Sequence, residues 1–257
     1  MMLRTSPTER QNEIIKLLGQ KSSVHVIELG ELLGVSEITI RRDLEILEKK
    51  HLVERTHGGA LLSHRLRSEP QYSAKYQVHI KEKRQIGMTA AALVEPKETI
   101  FIGSGSTTLQ IFSHLFGKKI RIITSNASAV SECQSSDIDL ILTGGSYREQ
   151  SHSFTGPLAL QVLQNFYAHK CFIGVDGVSL QYGLTTPILE EAEVCRAMIE
   201  HTHGQVIIVA DASKLGVVAD CLTVPLNKID ILLTDSTFDE GYRQDIENLG
   251  IKIIIAS

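Results

Sequence analysis

Three segments in the second half of the chain combine glycine with hydroxyl or amide side chains, and each follows an apolar run. The candidate residues are Gly103, Ser104, Gly105, Ser106, Thr107 and Thr108 in the first segment, Ser125 and Asn126 in the second, and Gly144 and Gly145 in the third. Glycine lets the backbone approach a ligand, hydroxyl groups donate hydrogen bonds, and a following helix N-terminus favours an anion. The first segment therefore predicts a phosphate-binding loop. It has neither the G-x-G-x-x-G pattern nor a P-loop lysine, which argues against dinucleotides and nucleoside triphosphates.

Four charged residues lie near these segments or at the ends of later apolar runs. Arg148 and Lys214 carry the positive charge that would neutralise a phosphate, and Asp176 could accept hydrogen bonds from sugar hydroxyls. Glu190, Glu191 and Glu193 are interpreted as the solvated first turn of a helix, where negative charge suits the helix dipole, and of the three we expect Glu191 to face the same pocket. The alternative is a glycine- and serine-rich turn without a ligand, beside ordinary surface charges.

The first half of the chain contains a polar helix with paired arginines. Its candidate DNA-contacting residues are Ser36, Glu37, Thr39, Arg41 and Arg42, with Arg55, His57 and Gly58 on a following hairpin. Arginine can bind guanine or phosphate, and a helix fits the major groove. We expect Asp43 to brace this helix, because phosphate would repel a carboxylate. The alternative is a winged helix that binds protein, with the arginines only solvating one helix face.

Apolar periodicity indicates which helices and strands hold the candidate DNA-contacting residues. Helical spacing predicts helices over residues 8–18, 26–33 and 37–49, and extended segments around a Gly-Gly turn predict a two-stranded wing within 52–62. Two short helices joined by a glycine-containing turn form a helix-turn-helix. Residues 1–62 are therefore interpreted as a winged helix-turn-helix DNA-binding domain.

The rest of the chain has a different pattern. Residues 63–80 are polar and basic and are interpreted as a linker, which leads into a helix over 81–93. Apolar β-branched runs then alternate with helical stretches; these predicted strands are 99–102, 120–123, 138–142, 171–175, 206–210, 229–233 and 251–255. The alternation predicts a parallel sheet covered on both faces, hence a larger Rossmann-like α/β domain over residues 81–257. Ligands of such sheets bind at the carboxyl ends of the strands, where the three segments should meet.

Composition and charge limit the function classes. The 257 residues are 42% hydrophobic, and no run approaches the ~18 apolar residues of a membrane span. Residues 1–84 carry 15 basic and 11 acidic side chains, a net +4, whereas residues 85–257 carry 11 and 19, a net −8. This asymmetry favours a first module that binds a polyanion. The N-terminus shows no signal-peptide pattern, so we expect a cytoplasmic protein that does not enter a membrane.

Cysteine and histidine spacing gives no metal or disulfide pattern. The four cysteines, at positions 133, 171, 195 and 221, are scattered without a C-x-x-C pair, which is typical of reduced core thiols. His201 and His203 lie two residues apart, and a helix over 190–201 would direct them apart. We therefore expect no metal and no cofactor.

The polar helix and its surroundings resemble the DeoR family of bacterial repressors. The resemblance rests on the run Ser-Glu-Ile-Thr-Ile-Arg-Arg-Asp-Leu at residues 36–44, on Arg10 and Ile14 upstream, and on His-Gly-Gly-Ala at residues 57–60. It implies that this run forms the recognition helix and that Thr39, Arg41 and Arg42 contact DNA.

The likeness to the same family continues from about residue 80 to the end. It includes Gly-Ser-Gly-Ser-Thr-Thr, Thr-Gly-Gly, Phe-Ile-Gly-Val-Asp-Gly at residues 172–177 and Asp-Ala-Ser-Lys at residues 211–214. The resemblance implies an effector domain similar in fold to ribose-5-phosphate isomerase and glucosamine-6-phosphate deaminase. Such a domain would sense a phosphorylated sugar or a related metabolite.

These observations predict a DNA-binding transcriptional regulator, a repressor of a carbohydrate-utilisation operon. It would bind double-stranded operator DNA as a homodimer or homotetramer, with an affinity controlled by a sugar phosphate. The alternative is a sugar-phosphate isomerase-like enzyme with an accessory winged-helix domain. No carboxylate base stands out for that chemistry, so no catalytic residue is assigned.

Overall fold

The structure is a computed structural model that describes residues 7–20, 24–49, 53–55, 58–62, 71–133, 137–235 and 240–256. The chain divides into two compact units, Met1–Glu69 and Pro70–Ser257. Within the described ranges, no helix is both long enough and apolar enough to cross a membrane.

The first unit contains three helices and a small antiparallel sheet. In chain order these are α1 (Pro7–Gln20), β1 (Val24–His25), α2 (Val26–Leu33), α3 (Glu37–Lys49), β2 (Val53–Arg55) and β3 (Gly59–Leu62). The sheet has the order β1-β3-β2, so β2 and β3 form the wing and the two-residue β1 is an addition to the prediction. Gly34 makes the turn between α2 and α3 with a left-handed φ of 65°. The winged helix-turn-helix prediction is confirmed.

One apolar face of each helix forms the core of this unit. Its buried side chains include Ile14, Leu18, Leu29, Ile40, Leu44 and Leu47. The last three lie at i, i+4 and i+7 on α3, so this face is directed inward and the opposite face of α3 is exposed.

The second unit begins with the helices α4 (Tyr72–Gln77) and α5 (Ile80–Ala92). The following elements are β4 (Thr99–Ile102), α6 (Ser106–Phe112), β5 (Ile120–Thr124), α7 (Ala129–Glu132), β6 (Ile138–Leu142), β7 (Ser146–Arg148), β8 (Ser153–Thr155), α8 (Pro157–Leu163), β9 (Ala168–Gly174), β10 (Gly177–Ser179), β11 (Gly183–Thr186), α9 (Leu189–Glu200), β12 (Thr202–Val209), β13 (Cys221–Val224), β14 (Ile231–Thr234), α10 (Glu240–Asn248) and β15 (Lys252–Ile255). A short 3-10 helix, Ala212–Lys214, follows β12.

Seven strands of this unit form one parallel sheet in the order β15-β14-β12-β9-β4-β5-β6. One face packs against α8, α9 and α10, and the other packs against α5, α6 and α7. Burial on both faces explains why these strands are apolar without alternation. The α/β prediction is confirmed, and the polar segments follow adjacent strands β4, β5 and β6.

Short antiparallel elements add to the predicted architecture. The strands β7 and β8 form a hairpin, and β10, β11 and β13 form a second small sheet. Each of these strands has only three or four residues. That length is too short to show a clear apolar period.

The segment predicted as a linker is helical in its second half. Helix α4 lies within residues 63–80, whereas residues 63–70 lie outside the described part of the chain. Tyr72 anchors α4 to the rest of the second unit. Its N–H donates to the Gln150 carbonyl over 2.8 Å, and its ring stacks on His152 at a centroid distance of 4.5 Å. The linker prediction is therefore wrong for residues 72–77. Six helical residues have no sequence period of their own, and tertiary contacts stabilise them.

The two histidines of the 201–203 segment do not share a helix. Helix α9 ends at Glu200, and Thr202 begins β12. His201 stacks against Tyr167, and His203 lies edge-on to His169. Among the described residues, no group of three side chains is arranged to hold a metal ion.

All four cysteines are free, and Cys171 and Cys195 are buried. Burial raises the pKa of both thiols to about 12. They therefore remain protonated at neutral pH and act as apolar core residues.

Candidate nucleic-acid interface and anion-binding site

The exposed face of α3 carries the predicted DNA-contacting residues. Glu37, Arg41 and Arg42 are exposed, and Thr39 is half-buried. Glu37 and Arg41 form an i, i+4 ion pair with 3.8 Å between Oε2 and Nη2. Both partners are about half exposed, so this pair contributes little to stability and leaves Arg41 able to bind an anion.

Ser36 has a structural role at the start of α3. Its hydroxyl accepts a hydrogen bond from the Thr39 N–H over 3.3 Å, and the two side-chain oxygens lie 3.0 Å apart. This is an N-cap, which fixes the first turn of the helix. The turn that would enter a groove is thus ordered before DNA binds.

Asp43 braces α3 against α1, as expected from the sequence. Its Oδ2 lies 2.5 Å from Arg10 Nε, and its Oδ1 accepts a hydrogen bond from Gln11 Nε2 over 3.2 Å. All three residues are buried, with 3% exposure for Asp43 and 8% for each partner. A buried ion pair whose carboxylate oxygens are both hydrogen-bonded holds the orientation of the helix. Removing one partner leaves the other charge buried and lowers the folding stability strongly.

The wing is only partly described. Gly58 is exposed before β3, and its carbonyl accepts a hydrogen bond from the Val26 N–H. The backbone of Arg55 ends β2, but its side chain lies outside what the structure describes. His57 lies outside the described residues altogether.

At the carboxyl ends of the strands of the second unit, the predicted segments converge. Asn126 Nδ2 donates to the Gly105 carbonyl over 3.2 Å, which joins the first and second segments. The Thr143 N–H donates to the Thr124 carbonyl over 2.9 Å, which joins the second and third. Gly105 has a φ of 138°, a conformation that favours glycine.

The third segment also needs its glycines. Gly144 and Gly145 have φ values of 59° and 105°. A Cβ on Gly145 would lie 2.5 Å from the Thr155 carbonyl oxygen, so no other residue fits without backbone movement.

Asp176 follows β9 and lies among cations. Its Oδ1 is 3.0 Å from Lys75 Nζ and 4.0 Å from Lys214 Nζ, and its Oδ2 accepts a hydrogen bond from the Thr186 hydroxyl. Burial alone would raise the pKa of the Asp176 carboxyl, but the two ammonium groups and the hydrogen bonds outweigh it and hold the pKa below its ordinary value. Asp176 is therefore an anion at neutral pH.

Lys83, on α5, completes a cationic cluster. It is only 4% exposed, and its Nζ donates to the Lys75 carbonyl, which also accepts a hydrogen bond from the Ser106 hydroxyl. Burial, together with the charges of Lys214 and Lys75, lowers the pKa of Lys83 from 10.5 to about 8, and the nearby carboxylates Asp211 and Asp176 partly oppose this shift. Three lysines thus meet two carboxylates beside the first glycine segment. An anion placed there would relieve the repulsion among the lysines.

Lys75 and Lys83 were not among the sequence candidates. Lys75 lies in the segment interpreted as a linker, and Lys83 lies on a helix that appeared only to lead into the sheet. No local spacing connects either lysine with Asp176, which is 101 residues from Lys75. Only the packing of α4 and α5 brings them to the strand ends.

Arg148 and Glu191 pair with each other. Arg148 Nε lies 3.3 Å from Glu191 Oε1, which also accepts a hydrogen bond from the Ser153 hydroxyl over 3.0 Å. Glu191 is 8% exposed, so it is not part of a solvated acidic turn. Since Glu191 already balances the charge of Arg148, the lysine cluster supplies most of the uncompensated positive charge.

A buried hydroxyl in the second segment has no protein partner. Ser125 is 1% exposed, and its Oγ has no hydrogen-bond partner among the described residues. Most buried polar atoms in folded proteins are hydrogen-bonded, so an unpaired one among these strand-end segments suggests a bound water or ligand.

The two units together define a class of protein: a helix-turn-helix DNA-binding domain joined to an α/β domain with a cluster of polar and cationic side chains at its strand ends. This is the organisation of a transcriptional regulator with a sensor domain. Residues 10–65 match the model of the DeoR-like helix-turn-helix domain, and residues 78–236 match that of the DeoR C terminal sensor domain. The chain belongs to the DeoR family of transcriptional regulators, and the sequence-based prediction is confirmed.

Individual relatives agree with this assignment. The HTH-type transcriptional regulator GolR of Listeria innocua is 32% identical over 97% of this chain and 99% of its own length. The HTH-type transcriptional repressor GlcR of Bacillus subtilis is 29% identical over 96% of this chain and 95% of its own length. Among solved structures, ribose 5-phosphate isomerase A from Methanocaldococcus jannaschii aligns with a TM-score of 0.38 and 17% identity, over 52% of this chain and 53% of the isomerase. That likeness is too low to support an inference about function.

Proposed function

We propose that this regulator is a repressor of a carbohydrate-utilisation operon and that a phosphorylated sugar controls its affinity for the operator. The observation that carries the proposal is the cluster of Lys75, Lys83 and Lys214 around Asp176 beside the first glycine segment. Cations would bind the phosphate, and an anionic carboxylate would bind sugar hydroxyls. The relative GlcR of Bacillus subtilis is named a repressor, which supports repression over activation.

The proposed contacts fall into two sets. Operator DNA would contact Ser36, Glu37, Thr39, Arg41, Arg42, Arg55, His57 and Gly58. The effector would contact Gly103, Ser104, Gly105, Ser106, Thr107, Thr108, Ser125, Asn126, Gly144, Gly145, Arg148, Asp176, Glu191 and Lys214, together with Lys75 and Lys83. Ser36 and Glu37 would contact the DNA from the start of α3, where the Ser36 hydroxyl also caps the helix.

Control of the operator requires two conformations or assemblies with different affinities for the effector. A ligand that bound both equally would shift no equilibrium. We propose a homodimer or homotetramer as the assembly, acting on double-stranded DNA in the cytoplasm and without enzymatic turnover.

Fluorescence anisotropy of a labelled duplex from upstream of the chain's own operon tests this function. We expect sequence-specific binding at fixed salt and a change in affinity with one member of a panel of sugar phosphates. Specific binding that no sugar phosphate alters would contradict the effector proposal. Turnover of a pentose or hexose phosphate that is lost in Lys214→Ala would contradict the proposal that the protein is not an enzyme.

Removing an arginine from α3 should weaken operator binding. If Arg42 contacts a phosphate, Arg42→Ala should reduce the slope of log K against log salt by about 0.9. If it binds a base, the substitution should cost about 1–3 kcal/mol and relax specificity at one position. The matched control is Lys49→Ala, an exposed cation at the far end of the same helix. Unchanged affinity in a variant lacking both Arg41 and Arg42 would favour the protein-binding alternative.

Effector binding should depend on pH above neutrality. The pKa of Lys83 is about 8 in the folded protein, compared with 10.5 ordinarily, so the lysine loses its charge as the pH rises through 8. An anionic ligand favours the charged form, and therefore binding at pH 8.5–9 should take up protons and weaken as the pH rises. Calorimetric titration in two buffers of different ionisation enthalpy measures this uptake. A phosphate monoester titrates near pH ~6, so it does not contribute.

A further inference from the structure

An isoleucine in the first turn of the recognition helix α3 lies on the exposed face of that helix. Ile38 is 67% exposed, the largest value among the large hydrophobic side chains that the structure describes. Single exposed apolar residues are common on protein surfaces. The position of this one distinguishes it, because its neighbours Glu37, Arg41 and Arg42 are charged and exposed.

The helical period places Ile38 directly opposite the core. At about 100° per residue, Ile38 and Arg42 lie about 160° and 200° around the axis from the buried Ile40. They are therefore the two residues of the first turns that project furthest from the rest of the unit. Helix-turn-helix proteins insert this part of the recognition helix into the major groove.

The side chain of Ile38 limits what it can bind in that groove. It has no hydrogen-bond donor or acceptor, so it can bind neither a phosphate nor the polar edge of a base. The apolar group that the four bases present in the major groove is the C5-methyl of thymine. Isoleucine in a helix is nearly fixed in χ1, and the Ser36 cap fixes the first turn, so little conformational entropy would be lost on contact.

We propose that Ile38 is a specificity-determining residue that contacts the C5-methyl group of a thymine in the operator. Arg42 is four positions further along the helix, a rise of about 6 Å, or about two base pairs at 3.4 Å each. The recognised thymine therefore lies within about two base pairs of the site contacted by Arg42. This inference rests on the operator-binding function proposed above.

Uracil substitution tests the contact, because uracil differs from thymine only by that methyl group. The preferred site is first selected from random duplex DNA by the intact protein, and each thymine is then replaced singly by uracil. We expect one position in a half-site at which the replacement weakens wild-type binding about fourfold, the equivalent of burying one methyl group. In Ile38→Ala, thymine and uracil at that position should bind equally.

The control is Ile46→Ala, which truncates a 42% exposed isoleucine two turns further along α3. This variant should keep the full preference for thymine. The proposal is overturned if no uracil replacement weakens wild-type binding, or if the thymine preference persists in Ile38→Ala. A selection that yields no preferred sequence would refute the operator-binding function, and this inference with it.

Discussion

Replacing Asp43 by alanine is expected to destabilise the helix-turn-helix unit by about 3–5 kcal/mol, because the substitution leaves the buried Arg10 guanidinium without its carboxylate partner. The unit is small and has only a modest core, so a loss of this size would unfold much of it at 37 °C. Operator binding would then be lost although Asp43 is buried and is not one of the proposed DNA-contacting residues.

Urea unfolding followed by circular dichroism would measure this loss as a separate early transition, with the second unit unaffected. Glu45→Ala is the control, since it removes an exposed carboxylate from the same helix. A double replacement, Arg10→Met with Asp43→Leu, should recover most of the stability because it removes both charges of the buried pair together. A cost below 1 kcal/mol for Asp43→Ala would show that the pair does not hold α3 in place.

Replacing Lys83 by methionine should have opposite effects on stability and on effector binding. The substitution removes a buried ammonium group whose pKa is lowered by burial to about 8, so we expect the second unit to gain about 1–3 kcal/mol at pH 7. The same change removes a charged hydrogen-bond donor from the proposed phosphate site. Affinity for the sugar phosphate should therefore fall about 10- to 100-fold, the equivalent of roughly 1.5–3 kcal/mol.

The sign of the two effects separates a ligand-binding role from a structural one. A purely structural lysine would lower both stability and affinity when replaced. Thermal unfolding and calorimetric titration of the same samples give the two values, and Lys81→Met, an exposed lysine on the same helix, is the matched control. If Lys83→Met binds the effector as tightly as the wild type, the lysine cluster is not the phosphate site.

Much of the fold follows from local patterns in the sequence. Apolar residues at i, i+4 and i+7 define the buried face of α3, and continuous β-branched runs define the strands of the parallel sheet. These patterns are strong because burial on one helix face or on both sheet faces constrains every residue in the segment. The strand-end segments are also predictable from local composition, because glycine and hydroxyl residues follow directly after apolar runs and ligands of such sheets bind at the carboxyl ends of the strands.

The sequence by itself determined the two-domain organisation, the recognition helix and the polar loops, because each depends on residues that are near one another in the chain. Tertiary structure alone decided which charges meet. Lys75 reaches Asp176 across 101 positions, Arg10 reaches Asp43 across 33, and Arg148 is paired with Glu191 across 43. An ion pair depends on a few ångströms of distance between side-chain atoms, and packing of distant helices and loops sets that distance without leaving a period in the sequence.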